Sequence, residues 1–389
     1  MPLNSDQLVR QLYELARHVE QADRRRWLDE ARALLHLVRR ERVLEKLRVQ
    51  QAQRVPWLTA EPLGELGERH PAPPPPAAVT VAAADGSAMP PDRHSPVRFY
   101  VLNTGWVRLR YGDVPSFDYG VTTDVRYRYD DLYFGGDPLH PVEGGLLSAL
   151  MAVAELRALR QAVEGAPRPV VGLLDGTMIL WTIQSEPDSV RLSVLNMYLQ
   201  ELAWFAAERI PLGSYISSPG SFDVSNTLRV YLCPQPSREC RLCHADEALR
   251  LCRELRDIRD AQLYRTELEP YERTCLFRSR SHILAHYGPH EIHFCYVHTG
   301  EEIARLEMPA WVAQDEAFLG MLHAVVADQC RRSGMQPPYP PALHEAHEQA
   351  VLSTADREQV HLLLEEILAE QGHLLRWSAK SHHKRVRGV

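Results

Sequence analysis

The stretch VTVAAADGSAMPPDRH, residues 79–94, turns from small apolar residues to an acid followed at once by glycine and serine. Val79 to Ala84 have the apolar, partly β-branched character of a buried strand, and Gly86 and Ser87 are turn residues, so Asp85 is expected where a strand stops. A carboxylate placed there faces whatever lies beyond the sheet edge. The pattern returns in RPVVGLLDGTMILW, residues 168–181, where a second buried strand, Val170 to Leu174, ends on Asp175-Gly-Thr.

Between the two aspartates, RFYVLNTGWVRLRYG and VTTDVRYRYDDLYF carry the aromatic and β-branched content of antiparallel strands, and an amphipathic helix is predicted from about Val142 to Glu164. On that helix Arg157, Arg160 and Glu164 share one side, while Glu155 points the opposite way, among Met151, Leu159 and Ala162. An unpaired acid facing a core costs several kcal/mol, in order of magnitude, or takes up a proton, unless a cation, a shared proton or a metal compensates it. Two strand-end aspartates and one inward glutamate offer three hard oxygen ligands at one sheet edge, the donor set that Mg²⁺ or Mn²⁺ prefers. Ions held there can activate water and stabilise a leaving oxygen in phosphodiester cleavage. Acid on the first strand, antiparallel strands, helix with an acid, strand with an acid is also the order of the ribonuclease H-like fold. The expected class is therefore α/β: a ribonuclease H-like core, a mixed sheet flanked by helices, with a helical N-terminal extension.

The extension is read from Asp6 to Arg54, where Leu8, Leu12, Leu15 and then Leu28, Ala31, Leu34, Leu35 and Val38 recur at helical spacing. The proline-rich HPAPPPPAAV should then run extended. This divides the chain into a helical extension (1–70), a linker (71–78), a catalytic domain (79–372) and a basic tail (373–389). Further on, helices are expected near 193–208, 245–264, 315–333 and 356–371, a strand and loop around GSYISSPGSFDVSNTL, and strands at EIHFCYVH and EIARLEMP. The chain has 389 residues, 45% of them hydrophobic, and its N-terminus lacks the apolar run of a signal peptide or membrane helix, which points to the cytoplasm. A net charge of -7 argues against gripping nucleic acid through the overall field, so local patches or a helper protein must supply that grip. No G-x-x-x-x-G-K-[S/T] motif occurs, so any use of ATP belongs to a partner.

AAADGSA, LLDGTMILW, GSYISSPGSFDVSN and YPPALHEAHEQA resemble, in that order, the motifs of the NurA nucleases, over about Val79 to Val360. The resemblance implies a Mn²⁺-dependent (or Mg²⁺-dependent) deoxyribonuclease that cuts single-stranded DNA and resects 5′ ends of duplexes. It further implies a homodimer docked on a HerA-type hexameric ATPase, serving DNA end processing, repair or anti-phage defence. It carries over a metal set of Asp85, Glu155 and Asp175, completed by His347 of EAHEQA, with His344 as a close rival and Tyr339 beside the site. Ser217 and Asp223 match the family's S…D segment, and together with Ser87 they are candidates for the pocket or for DNA contact.

Other readings stand beside these. Asp before Gly commonly serves turns, Glu155 could pair with a buried arginine, and Tyr339 could simply pack on Pro340 and Pro341. Cys233, Cys240, Cys243 and Cys252, with His244, hold a C-x₂-C pair that could bind a structural Zn²⁺, but the flanking spacings favour buried thiols. The arginine-rich RRRW and RRERVLEKLR read as a solvated helix face, and KSHHKRVRG as a tail able to touch phosphates. The functional alternative is a non-catalytic NurA-like subunit that binds DNA or the translocase.

Overall fold

The computed structural model describes residues 3–18, 21–52, 57–92, 95, 97–234 and 249–373. The N-terminal part gives α1 (Ser5–His18), α2 (Gln21–Leu37) and α3 (Arg40–Ala52), then the short strands β1 (Ala60–Pro62) and β2 (Arg69–His70). Residues 71–78 carry no helix or strand. The meander β3 (Val79–Met89), β4 (Tyr100–Tyr111) and β5 (Ser116–Arg126) follows, then α4 (Tyr129–Leu132), α5 (Gly144–Val163), β6 (Val170–Asp175), α6 (Asp188–Ala207), β7 (Leu212–Ile216) and α7 (Asp223–Leu232). Last come α8 (Arg250–Glu254), α9 (Asp260–Tyr264), β8 (Arg273–Thr274), β9 (Phe277–Ser279), β10 (Ile292–His298), β11 (Ile303–Pro309), α10 (Ala310–Ala313), α11 (Glu316–Arg332), α12 (Pro341–Ala350) and α13 (Thr354–Glu370).

One sheet runs through the molecule in the order β1-β9-β10-β11-β7-β6-β3-β4-β5, with β2 and β8 paired beside β10. β4 is antiparallel to β3 and β5 antiparallel to β4, while β6 and β7 run parallel to β3. Taken in chain order, the five strands of that half follow the ribonuclease H-like arrangement expected from the sequence. β11 then joins antiparallel to β7 and extends the sheet through β10 and β9 to β1. The N-terminal stretch thus adds strands to the sheet as well as helices.

The first half of β3, Val79 to Ala84, is apolar but for Thr80 because both its faces are covered. Val79, Val81 and Ala83 join the core under α11 and α12, and Ala82 and Ala84 join the core under α5 and α6. Each leucine fully buried there, such as Leu156 and Leu159 of α5, contributes about 1.5–3 kcal/mol. A third core packs α2, α3 and α7 against β9 and β10 through Trp27, Leu35, Leu47, Leu228, Phe277 and Phe294.

Three elements differ from the sequence-based expectation. β3 does not stop at Asp85: its pairing with β4 continues to Met89↔Val101, and it is the neighbour β6 that ends, with its last pair at Ala84↔Leu174. Asp223 opens a helix, not a loop, because Val224 and Leu228 find a core while the Ser225 and Thr227 hydroxyls turn onto the carbonyls of Ile258 and Asp223. The single helix expected near 245–264 is broken into α8, a 3-10 turn at Leu255–Asp257 and α9. Among the described residues, no helix is long and apolar enough to cross a membrane. Cys240, Cys243 and His244 of the candidate zinc site, and all but His373 of the 373–389 tail, lie outside the described residues.

Candidate active site

The register of two parallel strands builds the floor of the site. Ala84 pairs with Leu174, so Asp85 and Asp175 are the next residues on adjacent strands and leave the sheet on the same face as Ala83 and Leu173. Beyond this point β3 continues without β6, and a gap opens beside Asp85. Gly176 takes a left-handed φ of 79°, a conformation glycine adopts without strain, and its N–H donates to Asp175 Oδ1 at 2.9 Å.

Glu155 arrives from α5, on the opposite face of the sheet. It reaches the gap because residue 86 is glycine: a Cβ there would collide with Met151 Sδ and sit 2.8 Å from Glu155 Oε1. On the far side of α5, Arg157 and Arg160 pair with Glu201 of α6, at 3.1 and 3.5 Å. The arginines are engaged there, and among the described residues the charged neighbours that act on Glu155 are Asp85 and Asp175. Burial first, then the two aspartates, push its carboxyl up to about 8. Asp175 is raised for the same reasons, burial and then Asp85, against the opposing pull of the Gly176 N–H, the Tyr339 hydroxyl and His347.

α12 closes the site from the Asp85 face. Pro341 at its first turn suits the start of a helix, and the helix is fixed to the sheet by Asn103 Nδ2 donating to Ala350 O at 2.8 Å. Gly105 of β4 permits this approach, since a Cβ would lie 2.8 Å from the Ala350 nitrogen. So held, α12 delivers His347, whose Nδ1 lies 2.7 Å from Asp85 Oδ2. His344, one turn earlier on the same helix, makes no hydrogen bond to Asp85, Glu155 or Asp175. Tyr339 lies edge-on to Tyr215, ring centroids 5.4 Å apart, with its hydroxyl turned towards Asp175. Burial and the neighbouring carboxylates raise the Tyr339 hydroxyl, which therefore keeps its proton.

The structure therefore brings together Asp85, Glu155, Asp175, His347 and Tyr339. The other candidates are placed differently. Ser87 Oγ accepts the Leu352 N–H at 3.3 Å and ties down the chain leaving α12. Ser217 donates to Glu302 at 2.7 Å on an exposed loop, and Asp223 is buried in an ion pair with Arg305 at 2.7 Å. Arg305 and Glu307, which lie behind the Asp175 turn, were not singled out from the sequence. Their signal was two charges two apart in the otherwise apolar IARLEMP, residues 303–309. Cys252 Sγ contacts the Arg229 carbonyl oxygen at 3.7 Å, and Cys233 is half-buried at the end of α7.

Among the described residues, no three His, Cys, Asp or Glu side chains are drawn close enough to grip a metal as they stand. The donor chemistry nevertheless fits a hard divalent cation. Three carboxylates converge and, among the described residues, no arginine or lysine is placed to neutralise Glu155.

A family model of the NurA domain matches residues 79–352. Curated proteins compared with the chain gave no match. Among solved structures, the NurA nuclease from Sulfolobus solfataricus is similar at 14% identity, with a TM-score of 0.47, over 95% of this chain and 98% of that one.

Proposed function

Since the chain belongs to the NurA nuclease family, we propose that it hydrolyses DNA phosphodiesters at the Asp85, Glu155, Asp175 and His347 cluster with the help of Mn²⁺ or Mg²⁺. The observation that carries this reading is the uncompensated Glu155, an acid pushed up to about 8 with two aspartates as its charged neighbours. When bound, the metal lowers the pKa of a coordinated water and offsets charge on the phosphate. Asp85, Glu155 and Asp175 are the residues that would hold it, with the protonated Tyr339 hydroxyl beside Asp175. His347 engages Asp85 through Nδ1, which leaves Nε2 as the ring nitrogen able to take a proton from water or give one to a leaving oxygen.

The finer reading is a homodimeric cytoplasmic nuclease for single strands and 5′ duplex ends, worked by a HerA-type hexameric ATPase in end processing, repair or defence. The net charge of -7 and the missing ATP-binding motif support a partner that brings DNA and motion. The test is cleavage of end-labelled single-stranded and duplex DNA with Mn²⁺, Mg²⁺ or EDTA, comparing wild type with Asp85→Ala and Glu155→Ala. Metal-dependent cutting abolished in both variants is the expected result. Binding of DNA or translocase with no cutting, even with the ATPase added, would identify the non-catalytic subunit instead.

A further inference from the structure

We propose that Arg305 and Glu307 are positioning residues for Asp175, acting through the turn of residues 176–178, a role that rests on the nuclease reading. The Asp175 carboxylate is set by its own Gly176 N–H, so its direction depends on where the turn goes next. The turn is clamped from inside the sheet. Glu307 Oε2 accepts both the Thr177 hydroxyl at 2.8 Å and the Met178 N–H at 2.9 Å, and Thr177 Oγ1 in turn accepts the Ile179 N–H at 3.1 Å. Tyr287 closes the far side, its hydroxyl accepting from Leu180 N at 3.0 Å and donating to Met178 O at 3.1 Å.

Glu307 is held in turn. Its other oxygen accepts Arg305 Nε at 2.8 Å, and Arg305 Nη1 donates to Asp223 Oδ2 at 2.7 Å at the start of α7. The guanidinium lies 3.6 Å from the Phe294 ring centroid, and Arg305 and Glu307 are 4% and 1% exposed. Buried ion pairs of this kind are poor stabilisers, and apolar residues of similar volume often serve as well or better. A leucine at 307 could fill the space but could not accept two hydrogen bonds from the turn. That difference assigns the network to the geometry of Asp175. Thr177 gives the proposal a clean handle, because it sits on the surface and substitution there leaves the core intact.

The experiment compares wild type, Thr177→Val, Thr177→Ser, Glu307→Gln and Asp175→Asn by amide hydrogen exchange and by steady-state cleavage of single-stranded DNA with Mn²⁺. Thr177→Val is expected to speed exchange in peptides covering 174–181 about tenfold and nowhere else. It should lower kcat by about 3- to 10-fold with KM within about twofold, and Thr177→Ser should restore both. Glu307→Gln should act in the same direction and more strongly. Unchanged exchange in Thr177→Val, an unchanged kcat, or equal losses in the Val and Ser variants would each overturn the proposal. If wild type cuts and Asp175→Asn does not while Thr177→Val cuts normally, only the positioning role falls. If wild type cuts nothing, the nuclease reading falls and takes this one with it.

Discussion

Glu155 is the residue whose cost is easiest to measure. A carboxyl whose pKa rises from 4.5 in the unfolded chain to about 8 in the folded one keeps its proton on folding between those values. The folded state then binds more protons, so its contribution is fully present below about pH 4.5 and is lost as the pH climbs towards 8. In EDTA, wild type is expected to lose a few kcal/mol, in order of magnitude, of unfolding free energy between about pH 5 and pH 8 relative to Glu155→Gln. Urea melts across that range check it, and parallel curves for the two proteins would refute it. Adding Mn²⁺ at pH 8 should raise the Tm of wild type more than that of Glu155→Gln, since a ligand of the folded state stabilises by mass action. Gly86→Ala tests the approach itself: the new Cβ displaces Met151 and Glu155, with an expected loss of about 1–3 kcal/mol and of cleavage. The convergence of Asp85, Glu155 and Asp175 could be read from sequence because apolar runs that close on Asp-Gly and the face of a helix wheel are local patterns, even though β3 itself continues past Asp85. The need for glycine at 86 could not, because it depends on a helix that packs from the other face.

Among the elements, α12 decides between two histidines three positions apart. His347→Ala should lower kcat by about a hundredfold or more if Nε2 moves a proton, with His344→Ala close to wild type, as measured on the same labelled strands. Spacing alone left the choice open, since the angle at which α12 meets β3 and β4 is set by Gly105 and Asn103, far away in sequence. The helix α7 was misread for a related reason: Asp, Ser, Asn and Thr favour caps and turns, and only the core around Leu228 and Tyr264 makes a helix of them. The same tertiary setting buries Asp223 against Arg305. Arg305→Ala, which leaves Asp223 and Glu307 buried without their cation, should cost about 3–5 kcal/mol in a urea melt. The strand pairs β3, β4 and β6 were legible because their apolar runs are long and end on turn residues. β1, β2, β8 and β9, at two or three residues each, leave no such periodicity to read.

For the whole molecule, charge and chain order matter more than any single contact. An excess of seven negative charges predicts weak, shallow salt dependence for DNA binding by the protein alone. Fluorescence anisotropy with single-stranded DNA in EDTA should give a log–log salt slope corresponding to only about one to three phosphates, steepening when the proposed partner ATPase is added. Asp85 and the histidine that bonds it are 262 positions apart in the chain. At about 5–20 residues per second, a ribosome needs about 13–50 s to travel from one to the other. Through that interval the nascent chain carries its first acid but not the helix that completes the site. A message cut short before α12 therefore yields a fragment that holds Asp85, Glu155 and Asp175 without His347, and on the proposed reading any cutting of DNA waits until α12 has been translated.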